Sequence, residues 1–290
     1  MAHPVPDDLV TALLTPAEAA APGQATWLRY NFSTGATRTG SLTDNGIAVV
    51  LRDFPLDPAW SHLLALGGGR VAAYKHQTGI LTIGEVAVDG TYADVRDNPE
   101  AETAHNMLVV FPDMLLFYLV TSDSHGYRGL GTTGRIAANG AYTRLSEPIL
   151  LDFWTHIVPV QDGLVLFYNS YSRLAAVGRF TGDGGFADLR THPGFDPWTH
   201  IFAATDGTLL FYNVTTGMAA SGRVEADGGF TNLRSQALLP GMSFLPTRDG
   251  RVLIARPADT LVARFPVDGW FFDARIVNGL ILPVPTLFVR

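Results

Sequence analysis

The sequence predicts an all-β protein, a β-propeller of six four-stranded blades with five as the second choice. Three observations carry this expectation. Tyr30, Tyr74, Tyr118, Tyr168 and Tyr212 are separated by 44, 44, 50 and 44 residues, and Arg256 lies 44 further on. Asp-Gly and Asn-Gly turns recur at a fixed phase to these tyrosines. The 290 residues include 30 Gly, 18 Pro, 17 Phe, 9 Tyr and 5 Trp but only 16% charged side chains, a balance that suits strands and tight turns.

The elements follow from the repeat. The tyrosines close the segments RVAAY, MLLFY, LVLFY and TLLFY, and RVLIA occupies the same place later. A second marker is DGTY ending at Tyr92, NGAY at Tyr142, DGGF at Phe186 and Phe230, and DGWF at Phe271, with a weaker DNGI at Ile47. A third is AWSH at His62, FWTH at His156, PWTH at His200 and a bare His105. The fifth copy shows the strands plainly: WTHIFAA (198–204), TLLFYN (208–213), MAASGRVEA (218–226) and GFTNLRS (229–235). Asp-Gly pairs supply the positive φ that tight hairpins require. One four-stranded meander cannot bury both faces, whereas radial repetition buries them and leaves only short edges. Residues 1–24 then form a lead and 25–290 a single propeller. The first blade needs an innermost strand from either LVTALL (9–14) or GLILPVPTLFVR (279–290), so a latch between opposite chain ends is expected.

Composition excludes several classes. The net charge of −7 argues against general binding of nucleic acid or anionic membranes. With no Cys there are no disulfides, thiolate nucleophiles or Cys-ligated metals. No apolar run approaches the length of a membrane span. MAHPVPDDLV lacks the basic and apolar regions of a signal peptide, so a cytoplasmic location is expected, with non-classical release if the protein is a lectin.

The pattern W-T-H-I, D-G-x-L-L-F-Y-N, T-G, G-R, D-G-G-F-x-x-L, clearest over Trp154–Tyr168 and Trp198–Phe230, resembles the repeats of tachylectin-2-like bacterial lectin propellers. The resemblance implies sugar sites between blades near one rim. Two features depart from such multivalent lectins: the copies differ, with outer copies divergent, six extra residues within LVTSDSHGYRGLG in copy three and no Trp-x-His pair in copies one and six, and no export signal is read.

Candidate site residues fall into three groups. The pairs Trp60/His62, Trp154/His156 and Trp198/His200 put an indole and an imidazole on one strand face, suited to stacking on a pyranose and bonding its hydroxyls, or to packing between blades. His62, His105, His156 and His200 occupy matching places on four inner strands and are candidate acid–base groups. They could also hold a divalent metal. His105 lies 13 residues before its tyrosine and the others 12, which weakens that quartet, and no cofactor is favoured. The insertion brings Asp123, His125, Tyr127 and Arg128 to one rim, with Lys75 and His76 in the equivalent turn of copy two. Asp57, Asp152 and Asp196 precede the Trp-x-His pairs as ligands or turn caps, and Gly-Arg pairs (134–135, 178–179, 222–223) are expected to meet acids on adjacent blades. The function expected is lectin-like binding of a glycan or small polar ligand at blade boundaries. The alternative is a bacterial enzyme acting on a small molecule in the central channel.

Overall fold

A computed structural model describes residues 10–14, 25–43, 48–99, 101–124, 126–204, 207–246, 251–255, 260–264 and 272–276. Among these residues all regular structure is β, in six antiparallel sheets that follow one another along the chain. The first is β1 (Val10–Leu14), β2 (Ala25–Tyr30), β3 (Ala36–Leu42) and β4 (Ala48–Pro55), and the second β5 (His62–Gly67), β6 (Arg70–Lys75), β7 (Ile80–Val86) and β8 (Tyr92–Asn98). The third is β9 (Asn106–Phe111), β10 (Met114–Asp123), β11 (Gly126–Ile136) and β12 (Tyr142–Arg144), with β13 (Ile149–Leu151) added beside β11. The fourth is β14 (His156–Pro159), β15 (Leu164–Asn169), β16 (Leu174–Phe180) and β17 (Phe186–His192). The fifth is β18 (His200–Ala203), β19 (Thr208–Tyr212), β20 (Met218–Val224) and β21 (Phe230–Ala237), and the sixth β22 (Ser243–Pro246), β23 (Arg251–Ala255), β24 (Thr260–Arg264) and β25 (Phe272–Ile276).

Each sheet is a meander, and successive sheets meet through their first strands: β1 with β5, β5 with β9, β9 with β14, β14 with β18. This is the β-propeller arrangement. The first blade takes its innermost strand from the N-terminal side, Val10 pairing with Tyr30 and Leu14 with Thr26. Every sheet is therefore built from consecutive strands, and the expected latch between chain ends is not how the first is completed. Residues 279–290 lie outside the described residues.

The middle strands are buried on both faces, which is why they read as continuous apolar runs. In β6, Val71 and Ala73 pack towards blade one while Ala72 and Tyr74 pack towards blade three. The fourth strands β8 and β17 are exposed along most of their length.

Two of the sequence markers are one device. Gly84, Gly134, Gly178 and Gly222 lie against the rings of Tyr92, Tyr142, Phe186 and Phe230, and a Cβ at any of them would collide with the ring. The glycine of the third strand thus makes room for the aromatic after the Asp-Gly or Asn-Gly turn. The periodic tyrosines are a second device. Tyr30 Oη donates to Asp57 O (2.8 Å) and accepts from Trp60 N–H (3.0 Å), so it joins its own blade to the loop leading into the next. Tyr74 repeats this with Glu102 O and Ala104 N–H, Tyr118 with Asp152 O and Trp154 N–H, Tyr168 with Asp196 O and Trp198 N–H, and Tyr212 with Leu239 O and Met242 N–H.

At the opposite rim, side chains of the third strand reach the next blade's turn carbonyls. Thr39 Oγ1 donates to Gly90 O (2.7 Å), Thr133 Oγ1 to Gly184 O (3.0 Å), Arg135 to Gly182 O and Arg179 Nη2 to Ala226 O (2.9 Å). Arg135 and Arg179 of the Gly-Arg pairs thus cross to carbonyls rather than to acids of the adjacent blade. The acid beside Arg135 is Asp113 of its own sheet (3.1 Å).

Candidate functional site

The rim that carries the tyrosines also carries the predicted histidines and tryptophans of the inner strands, because those strands begin there and the second strands end there. Register makes this concrete: His62 pairs with Tyr74, His156 with Tyr168, and His200 with Tyr212. The residue opposite Tyr118 is Asn106, not His105, and opposite Ala255 it is Ser243. The histidine series is therefore His62, Asn106, His156, His200.

His105 takes the place of the hydroxyl that precedes each of these. Ser61, Thr155 and Thr199 accept the backbone N–H of His76, Ser170 and Val214 (each 2.9 Å), and His105 Nδ1 accepts that of Val120 (3.0 Å). The one-residue slip in spacing is this exchange. Nor do the rings of the series converge. The His156 Nδ1 lies 2.9 Å from Thr155 Oγ1 and its Nε2 donates to Thr199 O of the next blade at 3.0 Å, so the ring bridges inner strands. His62 and His156 are buried, and Asn106 lies beside His62. Among the described residues no group of three or more His, Cys, Asp or Glu side chains is placed to hold a metal ion.

Trp60, Trp154 and Trp198 are 6–7% exposed and belong to the cores between blades. Their indoles pack between the preceding blade and the blade they lead into instead of facing solvent. Lys75 lies 4.5 Å from the centroid of the Trp60 ring and 3.3 Å from Asp57 Oδ2, which anchors both charges at the first blade boundary.

Among the described residues, the rim departs from the repeat at blade three. The six extra residues do not form a loop. They lengthen β10 and β11 into a ladder that runs from Tyr118–Gly131 to Asp123–Gly126, and β13 joins it through Gly129–Leu151, Leu130–Leu150 and Gly131–Ile149. This three-stranded projection has no counterpart in the other described blades. His125 lies outside the described residues. Tyr127 is 61% exposed and Arg128 is exposed.

Each side of the projection presents something different. Towards blade four, the Tyr127 ring sits 5.4 Å from Phe153, which sits 6.3 Å from the exposed Tyr171 with planes 18° apart. Phe153 and Tyr171 carry no repeat signature, and only the insertion pointed here. Towards blade two lie half-buried His76 and exposed His105. The His105 Nδ1 accepts a backbone N–H, which places that ring's own proton on Nε2 when it is neutral. His76 is held below the usual imidazole value by burial and by the neighbouring charge of His105. His62, behind them, is pushed down to about 4 by burial and by His76. The arrangement places an imidazole N–H donor in the neighbourhood of an imidazole whose free-base form burial favours, at the boundary between blades two and three.

No protein-family model matches the sequence, and no curated protein matches it. Solved structures match the fold. A periplasmic gluconolactonase of Pseudomonas aeruginosa aligns with a TM-score of 0.52 at 16% identity, covering 91% of this chain and 84% of that one. A Bacteroides fragilis protein described provisionally as a 6-phosphogluconolactonase aligns at 0.51 and 13% identity, covering 95% and 97%. A Lactobacillus plantarum protein aligns at 0.54 and 13%, covering 90% and 82%. At such identities the likeness establishes the β-propeller architecture and does not extend to the lectin repeats.

Proposed function

We propose that the protein is a hydrolase of small lactones or related esters, working on the tyrosine-bearing rim between blades two and three. One observation carries the reading: His105 Nδ1 is committed to Val120 N–H, so its Nε2–H is a fixed donor, and burial and the charge of His105 lower the proton affinity of His76 nearby. In the proposed reaction a water attacks the lactone carbonyl as His76 takes its proton. The ring C–O bond then breaks, and the leaving alkoxide takes the proton that His76 holds, while His105 Nε2–H hydrogen-bonds the carbonyl oxygen as negative charge builds on it. Both rings end neutral, and the product is a hydroxy acid. A base of depressed pKa works near neutral pH because its free form is populated there. Two of the structural neighbours are described as lactonases, which supports the choice of substrate class.

The test is hydrolysis of δ-gluconolactone and unsubstituted γ-butyrolactone, followed by proton release. His76→Gln and His105→Gln are each expected to lower kcat about 100-fold, within the usual range for one acid–base group or one oxyanion donor. Turnover unaltered in both variants refutes the assignment.

A second reading is favoured by the aromatic row Tyr127–Phe153–Tyr171, whose exposed rings could receive the apolar face of a saccharide at the boundary between blades three and four. A glycan array with no hit removed by Tyr171→Ala counts against it.

A further inference from the structure

We infer that the substrate carries an aliphatic chain, laid against the blade-two side of the projection formed by β10, β11 and β13. The inference rests on the acid–base reading above and adds the substrate's second half. Along β10, Leu115 and Phe117 belong to the core shared with blade two, while Met114, Leu116 and Tyr118 belong to the core shared with blade four. Side chains alternate along a strand, so Leu119 and Thr121 continue on the blade-two side. Their cross-strand partners are Leu130 and Arg128, and Leu130 pairs onward with Leu150 of β13. Leu119, Leu130 and Leu150 therefore form one row across three strands, roughly 10 Å long at two inter-strand spacings.

The two sides of the projection are treated differently by the rest of the molecule. Val120, Ile149 and Leu151, on the far side, are packed into the core between blades three and four. Leu119, Leu130 and Leu150 are members of neither neighbouring core; Leu119 and Leu130 are half-buried and Leu150 is 66% exposed. Folding does not need this row, since the other described blades end their second strands near the tyrosine. The row also starts at the reacting groups: Leu119 precedes Val120, whose N–H holds His105. A substrate with its carbonyl between His76 and His105 has an apolar track running outward from it. A polyhydroxylated ring would leave three leucines against hydroxyl groups, whereas an alkyl chain removes its own surface and theirs from water.

Steady-state kinetics on γ-lactones bearing no side chain up to an octyl chain, beside δ-gluconolactone, tests this. The wild-type kcat/KM is expected to rise about fourfold per added methylene until the row is covered, as burial of apolar surface dictates. Leu150→Asp, with its thermal midpoint checked against wild type, is expected to flatten that rise. A flat wild-type series alongside measurable turnover overturns the alkyl track and leaves the acid–base reading standing. A slope unchanged in Leu150→Asp also overturns it. Absence of turnover for every lactone, the chainless parent included, refutes the acid–base reading and this inference with it.

Discussion

Replacing Tyr118 by Phe removes one oxygen and, with it, two hydrogen bonds between blades three and four. Tyr118 is 3% exposed, and its hydroxyl donates to Asp152 O at 2.9 Å and accepts from Trp154 N–H at 2.8 Å. The ring stays, so apolar burial is conserved. Each lost hydrogen bond costs about 1 kcal/mol net, and an orphaned buried N–H costs about 1–3 kcal/mol because water cannot replace the partner. Trp154 is itself 7% exposed, so its N–H is in that position. The expected loss is about 2–4 kcal/mol, read as a lower urea midpoint at unchanged slope in tryptophan fluorescence. Tyr127→Phe, on the same hairpin at 61% exposure, is the control and should cost under about 0.5 kcal/mol. A Tyr118→Phe protein within 0.5 kcal/mol of wild type, or an equal loss in the control, would mean that the tyrosine series packs blades by its rings alone.

Three further predictions follow the same logic. Gly178→Ala drives a methyl group into the Phe186 ring and should cost about 1–3 kcal/mol by overpacking, measured by the same unfolding curve. Burial and His76 hold His62 at about 4, below the ordinary 6.5, so the unfolded chain binds a proton that the folded chain refuses between those values. Stability from this group is complete above pH 6.5 and is lost progressively as pH falls through 4, by about 3 kcal/mol in the limit; His62→Gln should flatten the acid limb of the midpoint against pH. Burial raises Tyr74 and Tyr118 to about 12, so their contribution is complete below pH 10 and declines as pH rises through 12; the thermal midpoint should drop over that window.

The repeat was readable because turn chemistry and packing impose local rules. A glycine is required where Phe186 or Phe230 crosses the third strand, and a tyrosine wherever a lead-in loop must be tied, so both appear in the text at a fixed period. The alignment of His105 with the other histidines was a different matter. Sequence spacing alone cannot tell a residue at a strand position from one that replaces its neighbour's hydroxyl, and only the pairing of Asn106 with Tyr118 separates the two. The burial of Trp60, Trp154 and Trp198 was likewise undecidable from spacing, since a strand face can look at solvent or at the next blade with the same periodicity.

The amino-acid order by itself determined that this chain folds as repeated four-stranded β units and where their turns lie, because those depend on residues a few positions apart. Tertiary structure alone decided which groups meet on the rim. His76 of one blade feels the charge of His105 of the next, Phe153 links Tyr127 to Tyr171, and Leu119 lines up with Leu130 and Leu150, because blade stacking and strand register bring together residues that no local rule connects.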